Sequence, residues 1–260
     1  PSGGFAATSV GGRISTDTTW TLSGSPYIVT SSVQFYGTTS TPITLTIEPG
    51  VVVKFQTGTY LQIANGTNYP AVLSAAGTAG VPIIFTSYKD DTAGGDTNGD
   101  GSATSPAPGN WNYVSLWQGS SSSLLDHTEV RYGGGGGQGN IYVYESSPAI
   151  QNSVITQSSN IGISIFTQTV SSAPNILNNQ ILQNSTYGIK TQSTYTGTTP
   201  VSGLIQGNTI SSSGQYGMYF DGVISSTIQS NQIAQGFYFT SANGSPVLTG
   251  NQITDLGSVT

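Results

Sequence analysis

One short phrase occurs five times in the C-terminal half of the chain. Each copy begins with an aliphatic residue, carries a second aliphatic residue five positions later, and has a small polar residue, usually Asn, between them. The spacings between successive polar positions are 26, 29, 23 and 20 residues. Self-similarity at such a period is typical of repeat proteins, and the irregular spacing favours repeats whose loops accept insertions over helical repeats. The polar positions are Ser153, Asn179, Asn208, Asn231 and Asn251.

Each repeat contains short stretches that are typical of β-strands. Residues such as Ile163-Ser-Ile165 alternate apolar and polar side chains, are rich in β-branched types, and are bounded by Gly, Asn, Ser or Pro. No window of a dozen residues shows the 3.6-residue period of an amphipathic helix, and Gly and β-branched residues occupy positions where a helix favours Ala, Leu or Glu. The pattern predicts a solenoid of short parallel strands.

The recurring Asn position has a structural interpretation within such a solenoid. Successive turns of a parallel coil lie about 4.8 Å apart, so equivalent positions touch. An Asn amide can donate to the next Asn oxygen and also bond the backbone of its own turn. We therefore predict that Ser153, Asn179, Asn208, Asn231 and Asn251 form an internal ladder. The alternative is that they line a ligand-binding face.

The N-terminal half continues the same pattern less regularly. Ile43, Leu45 and Ile47 alternate with Thr residues before a Glu-Pro-Gly turn, and further strand-like segments run without a linker to the five copies. We predict one elongated all-β domain. Residues 1–19 form an arm or a first turn, and residues 20–260 form the coil, with an Asp- and Gly-rich loop inserted at 86–110.

Several segments carry a family resemblance. They are residues 45–55 (LTIEPGVVVKF), residues 82–87 (PIIFTS), Gly109-Asn-Trp111 and residues 130–134 (VRYGG). Together they resemble the bacterial right-handed parallel β-helix repeat proteins of cell surfaces, over residues 20–255. The resemblance implies a right-handed parallel β-helix, or β-solenoid. It specifies function poorly, because that family includes polysaccharide lyases, adhesins, passenger domains and tailspikes.

Composition narrows the environment in which the chain works. Charged residues make up 6% of the chain, against about 25% in ordinary soluble domains. Because free monomers usually keep more charge for colloidal stability, this composition favours a crowded assembly or a tethered layer. Five basic residues against eleven acidic ones argue against a nucleic-acid partner.

Other absences in the sequence limit cofactors and location. With no Cys, disulfides and thiolate metal sites are excluded, and no apolar run reaches the roughly 18 residues of a membrane span. The chain begins at Pro1 without a signal peptide, so we expect a processed or excised product. Together with the resemblance, these features predict an extracellular or cell-surface location.

The inserted loop contains the clearest metal-ligand pattern. Three oxygen-bearing residues stand at alternate positions ahead of Gly101, as in the first half of a D-x-[DN]-x-[DN]-G calcium loop. The closing Glu of an EF-hand would fall at Ala107, so other oxygens must complete the site. The pattern predicts a structural Ca²⁺ site, and the alternative is a solvated Asp/Gly turn. The predicted ligands are Asp90, Asp91, Asp96, Asn98 and Asp100.

No catalytic residues are predicted. The acids of the central repeats that could act as a glycosidase pair are Asp126, Glu129 and Glu145, but Glu129 is placed to form an ion pair with Arg131. The single histidine, His127, has no accompanying nucleophile-elbow motif.

Aromatic residues suggest a binding surface. If Ile141 and Val143 point inward, the rings between them point outward, with two Trp residues about one turn earlier. Exposed rings can stack on sugar faces, so Trp111, Trp117, Tyr142 and Tyr144 are candidates for glycan stacking. Alternatively, the rings cover a loop or a subunit contact.

The two ends of the predicted coil favour self-association. Neither end shows an amphipathic capping helix, and residues 1–13 are Gly-rich, with Phe5 and Val10 as anchors of a docking arm. Uncapped ends of a parallel coil can stack head to tail into a polymer. We therefore expect a non-enzymatic structural or adhesive subunit of a fibre, filament or layer. The alternative is a secreted polysaccharide-binding or lyase-like polysaccharide-degrading protein.

Overall fold

The computed structural model describes residues 7–194, 199–211 and 214–255. Within these ranges the chain forms 26 β-strands and one short 3-10 helix, Leu22–Gly24, and every pairing between the strands is parallel. The predicted all-β parallel coil is confirmed. No helix among the described residues has the length and hydrophobicity needed to cross a membrane.

The strands are arranged in three parallel stacks, and between residues 43 and 243 each turn of the coil contributes one strand to each stack. The first stack consists of β2 (Thr18–Trp20), β4 (Ile43–Ile47), β7 (Ala71–Ala76), β10 (Leu124–Asp126), β13 (Ala149–Gln151), β16 (Asn175–Leu177), β19 (Leu204–Gln206), β22 (Thr227–Gln229) and β25 (Val247–Thr249).

The second and third stacks are joined through two long strands at the N-terminal side, β1 (Thr8–Ile14) and β3 (Tyr27–Phe35). The second stack continues with β5 (Val52–Phe55), β8 (Ile83–Ser87), β11 (Thr128–Arg131), β14 (Val154–Thr156), β17 (Gln180–Leu182), β20 (Thr209–Ser211), β23 (Gln232–Ala234) and β26 (Gln252–Asp255). The third stack continues with β6 (Leu61–Ile63), β9 (Val114–Leu116), β12 (Ile141–Tyr144), β15 (Ile163–Thr167), β18 (Tyr187–Ser193), β21 (Tyr216–Val223) and β24 (Phe237–Asn243).

The core consists of columns of aliphatic side chains inside the coil. In the first stack Ile150, Ile176, Ile205 and Ile228 lie in register on successive turns, each at most 1% exposed. Burial of one such side chain contributes about 1.5–3 kcal/mol. The repeated phrase therefore supplies one apolar residue to each column on every turn.

The backbone conformation at the corner between the first and second stacks explains which residue types precede the ladder position. Asn152, Asn178 and Ser230 have φ angles of 51°, 56° and 55° there, and the equivalent Gly207 has 67°. Asn and Gly tolerate this left-handed conformation better than other residues. His127, with φ 48°, occupies the same corner one turn before Asn152.

The start of the chain contributes to the coil. Residues 8–14 form β1, which pairs with β3 and packs the half-buried Val10 and Ile14 against the core. Residues 1–6, including the predicted anchor Phe5, lie outside the described residues. The inserted loop runs from residue 88 to residue 113, between β8 and β9, since Thr86 and Ser87 belong to β8.

Candidate functional site

The recurring polar residues lie inside the coil and form a hydrogen-bonded ladder. Asn179 donates its backbone N–H and its Nδ2 to Oδ1 of Asn208, at 2.9 and 3.0 Å. Asn208 makes the same pair of bonds to Asn231, both at 2.9 Å, and Asn231 repeats them to Asn251 at 3.1 and 2.8 Å. At the other end, Ser153 donates its N–H to Asn179 Oδ1 at 3.0 Å.

Each ladder amide also bonds the backbone of a neighbouring turn. Asn208 Nδ2, for example, donates to the carbonyl of Ile176 at 2.9 Å. The side chains of Asn179, Asn208 and Asn231 are each 1% exposed. Because their donors and acceptors are used internally, these residues do not form a ligand-binding face.

A second ladder was missed from the sequence. Asn184 Oδ1 accepts the N–H of Ser158 at 3.1 Å, and its Nδ2 donates to the carbonyl of Ile155 at 3.3 Å. The two residues are 26 positions apart, like the first two members of the main ladder, so the same spacing rule would have found them.

Asp90 anchors the inserted loop and is not a free metal ligand, which corrects its predicted role. Its carboxylate is fully buried and forms a 2.6 Å ion pair with Arg131. It also accepts hydrogen bonds from Thr86 Oγ1 and Thr92 Oγ1, both at 2.6 Å. Burial would raise the pKa of Asp90, but these hydrogen bonds and the guanidinium hold that pKa below its ordinary value.

Lys54 is buried beneath the inserted loop. It points out from β5, as the alternation predicts, but the loop covers it completely, and its Nζ donates to the carbonyl of Gly95 and to Thr97 Oγ1. Burial lowers the pKa of Lys54, and the nearby carboxylates of the loop oppose this effect. Within the loop, Tyr88 donates its hydroxyl to the carbonyl of Thr97 at 3.0 Å.

The remaining loop acids form a cluster. One carboxylate oxygen from each of Asp91, Asp96 and Asp100 lies within 4.8 Å of the others. Asn98 lies beside them, and its Nδ2 donates to Asp100 Oδ2 at 2.9 Å. Burial raises the pKa of Asp91, and the negative charges of Asp96 and Asp100 raise it further.

Each acid that could have served catalysis is bonded to neighbouring groups. Glu129 forms the expected ion pair with Arg131 at 2.6 Å. Asp126 accepts hydrogen bonds from Gln151 and Asn152, both at 2.9 Å, and pairs with His127 Nδ1 at 2.7 Å. Glu145, 5% exposed, accepts the backbone N–H groups of residues 168–170.

Trp111 cannot stack on a glycan, which corrects the prediction for this residue. Its ring is fully buried, lies parallel to Phe55 with ring centroids 4.1 Å apart, and donates its indole N–H to the carbonyl of Arg131 at 2.9 Å. It leads out of the inserted loop rather than lying on a strand, so strand alternation does not apply to it.

The other three predicted rings lie together on the outer face of the third stack, half-buried. The centroid of Tyr144 is 4.9 Å from that of Trp117 and 6.1 Å from that of Tyr142. Phe166, on the next turn, stacks on Tyr144 at 5.7 Å. Much of each ring face is therefore covered by a neighbouring ring.

A second outward aromatic group on the third stack was missed from the sequence. Tyr216 and Tyr238 stack at a centroid distance of 4.7 Å, and Tyr219 and Tyr238 at 5.4 Å. Tyr187 lies against Tyr219 at 4.7 Å. Register between the repeats could have identified it, because Tyr187 pairs with Tyr216 and Tyr219 with Tyr238.

Comparison with known families supports the fold. Residues 137–259, a little under half of the chain, match the family model described as "Right handed beta helix region". The same three stacks continue without interruption into the preceding residues. The fold and the family match together define the chain as a parallel β-helix protein. No curated protein and no solved structure matches it.

Proposed function

We propose that the chain is a non-enzymatic structural protein of the cell exterior, a β-helix subunit of a fibre, filament or layer. It assembles by continuing its coil into a second copy. One observation carries the proposal: in the last described turn, residues that belong to core columns are exposed. Phe239, Leu248 and Ile253 are 38%, 44% and 41% exposed, whereas the residues beneath them in the same columns, Phe220, Ile228 and Ile233, are fully buried.

Covering these three side chains would be favourable. Because full burial of one large aliphatic or aromatic side chain contributes about 1.5–3 kcal/mol, covering the exposed fractions of three contributes about 2–4 kcal/mol. Among the described residues, β24, β25 and β26 each pair with a strand on one side only, and another turn of the same coil would offer backbone partners to the other side. A parallel strand from a neighbouring copy would satisfy both requirements.

The first strand of the coil has matching features. The strand pairings of the third stack connect the first strand with the last one. Followed from turn to turn, the register takes Gly12 to Phe237, Arg13 to Tyr238 and Ile14 to Phe239. A second copy that continued the coil in this register would place Ile14 on Phe239. Because the second stack has ten strands and the third has nine, residues 8–10 of that copy would reach the level of β26 and would have to move aside. Gly12 would lie opposite the large ring of Phe237. No atom lies within 4 Å of the position that a Cβ would take at Gly12, so the ring has space there.

The same register would place Arg13 beside Tyr238, which is 41% exposed. The guanidinium of Arg13 lies 4.2 Å from the ring centroid of Tyr36 and donates to the carbonyl of Gly37 at 2.6 Å. The low charge of the chain supports the same proposal, since an assembled subunit needs less charge repulsion than a free monomer. A cell-surface or extracellular location is consistent with a protein that works as part of such an assembly.

Light scattering on concentrated protein tests the assembly. We expect the average particle mass to increase with protein concentration. Ile253→Lys should abolish this increase, because it places a charge in the contact. Val81→Lys is the matched control, because Val81 is 46% exposed but belongs to a loop between β7 and β8. A constant monomer mass, or equal growth in Ile253→Lys, would contradict the proposal. So would a natural full-length protein in which further residues cover Ile253.

Glycan binding is the second candidate function. Trp117 and Tyr144 support it, because both are half-buried on the outer face and their rings are tilted by 40° to each other, so part of each ring stays accessible. Binding to a panel of immobilised polysaccharides should be lost in Tyr144→Ala and kept in Tyr216→Ala. Formation of unsaturated uronate products from acidic polysaccharides would instead indicate a lyase and overturn the non-enzymatic assignment.

A further inference from the structure

We propose that Asp91, Asp96, Asn98 and Asp100 bind a Ca²⁺ ion that fixes the inserted loop on the side of the coil. Besides the cluster of carboxylates, a separate observation points to a ligand. Asp91 Oδ1, Asn98 Oδ1 and Asp100 Oδ1 each expose less than 1 Å² to solvent and have no hydrogen-bond partner among the described residues. Buried oxygens normally have a partner, and a bound cation would supply one to all three.

The side-chain orientation of Asn98 is set by its donors. Its Nδ2 donates to Asp100 Oδ2 at 2.9 Å and to Thr104 Oγ1 at 3.1 Å. The amide oxygen therefore points away from these two groups, and it is one of the three unpartnered oxygens. Such an arrangement suits a ligand oxygen, since a metal is bound by the carbonyl oxygen of the amide and never by its NH2 group.

Asp96 is positioned by the loop backbone. Its Oδ1 accepts the N–H of Gly99 at 2.8 Å, and its Oδ2 accepts the N–H of Gly101 at 2.9 Å. Each carboxylate oxygen has a second lone pair, so these bonds orient Asp96 without preventing it from binding a metal.

The charges around the cluster also favour a divalent cation. The ion pairs of Arg131 are with Asp90 and Glu129, and the ammonium of Lys54 donates to Gly95 and Thr97. In the part of the chain that the structure describes, none of the ion pairs involves Asp91, Asp96 or Asp100. Three carboxylates beside one buried Lys leave two negative charges, which a divalent cation would balance.

The ligand set favours Ca²⁺ over Mg²⁺. Ca²⁺ takes about six to eight oxygen ligands at about 2.3–2.6 Å in a flexible geometry, whereas Mg²⁺ requires a near-ideal octahedron at about 2.0–2.1 Å and usually keeps several waters. Four oxygen-bearing side chains from one loop, with three carboxylate oxygens within 4.8 Å of one another, suit the ion that accepts more protein ligands. Carbonyl oxygens and water would complete the coordination.

The ion would hold residue 91 against residues 96–100 and close the loop onto itself. The loop is already attached to the coil by the bond from Lys54 to Gly95 and by the ion pair between Arg131 and Asp90, so Ca²⁺ would order the outer part of the loop. This proposal does not depend on assembly of the coil. Weak sites of this kind in extracellular modules bind Ca²⁺ with Kd of about 10⁻⁴ to 10⁻³ M.

Calorimetric titration of chelator-treated protein with CaCl2 and with MgCl2 tests the site. We expect one Ca²⁺ per chain, with Mg²⁺ bound at least ten-fold more weakly. Asp91→Asn and Asp100→Asn should each weaken Ca²⁺ binding at least ten-fold. Asp221→Asn, on β21 outside the loop, makes the same change of charge and should leave the affinity unaltered.

Thermal unfolding distinguishes a Ca²⁺ site from a loop whose acids serve only its own structure. In chelator, Asp91→Asn should unfold at a higher temperature than the parent chain, because it removes repulsion within the cluster. In 10 mM CaCl2 the order should reverse. Absence of Ca²⁺ binding and of any Ca²⁺-dependent shift in the parent chain would overturn the proposal, and this comparison stands even if a variant fails to fold.

Discussion

Replacing Asn208 by Ala tests whether the internal ladder stabilises the coil. Asn208 lies in the middle of the ladder and is 1% exposed. Its side chain accepts two hydrogen bonds from Asn179, at 2.9 and 3.0 Å, and donates one to Ile176 and one to Asn231, both at 2.9 Å. Alanine removes all four.

The expected loss follows from the groups left without partners. Asn179 loses the acceptor of its backbone N–H and one of two acceptors of its Nδ2, and each unsatisfied buried group costs about 1–3 kcal/mol. We therefore expect Asn208→Ala to lower the free energy of unfolding by about 3–5 kcal/mol. Asn251→Ala, at the half-buried end of the ladder, should cost about 1 kcal/mol, because water can reach the groups it exposes.

Urea unfolding followed by circular dichroism and by tryptophan fluorescence measures these differences. Asn175→Ala is the control, since Asn175 is exposed on the outer face of β16 and should change stability by less than about 0.5 kcal/mol. If Asn208→Ala and Asn175→Ala were equally stable, the ladder would not be a source of stability and the reasoning from its geometry would be wrong.

Two further predictions concern buried charges. Burial would raise the pKa of Glu145, but the N–H groups of residues 168–170 hold that pKa below its ordinary value. The carboxylate therefore stabilises the fold at pH values above the ordinary pKa, and this stabilisation is lost as the pH falls through the lowered pKa. Glu145→Gln should be about 1–2 kcal/mol less stable than the parent chain at pH 7, and urea unfolding at decreasing pH should show the two stabilities converging. Arg131→Met leaves the carboxylate of Asp90 buried without its cation and should cost about 3–5 kcal/mol in urea unfolding. Arg13→Met removes only an exposed guanidinium that donates to Gly37 and lies over the ring of Tyr36, and should cost about 1–2 kcal/mol.

The parallel coil and its ladder could be predicted because stacking turns one repeated residue into one repeated contact. Once the strands are parallel and in register, Asn179 can only meet Asn208, and Ile176 can only meet Ile205. The periodic spacing therefore contains most of the tertiary information for residues 149–255.

The inserted loop could be predicted less well, because its contacts are not periodic. Asp90 and Asp91 are adjacent in sequence, yet one pairs with Arg131, 41 residues away, and the other joins the acid cluster. Covering of Lys54 by the loop follows from the path of the loop, which no local pattern specifies. The same applies to Trp111, whose burial against Phe55 depends on where the loop returns to the coil.

Electron microscopy of concentrated protein tests the proposed assembly most directly. The first and third stacks contain nine strands and the second contains ten. Because turns of a parallel coil lie about 4.8 Å apart, copies that continue the coil would give filaments with an axial repeat between about 43 and 48 Å. Filaments with this repeat, absent from Ile253→Lys, are the predicted result. Single particles at every concentration, or filaments with an unrelated repeat, would contradict the account.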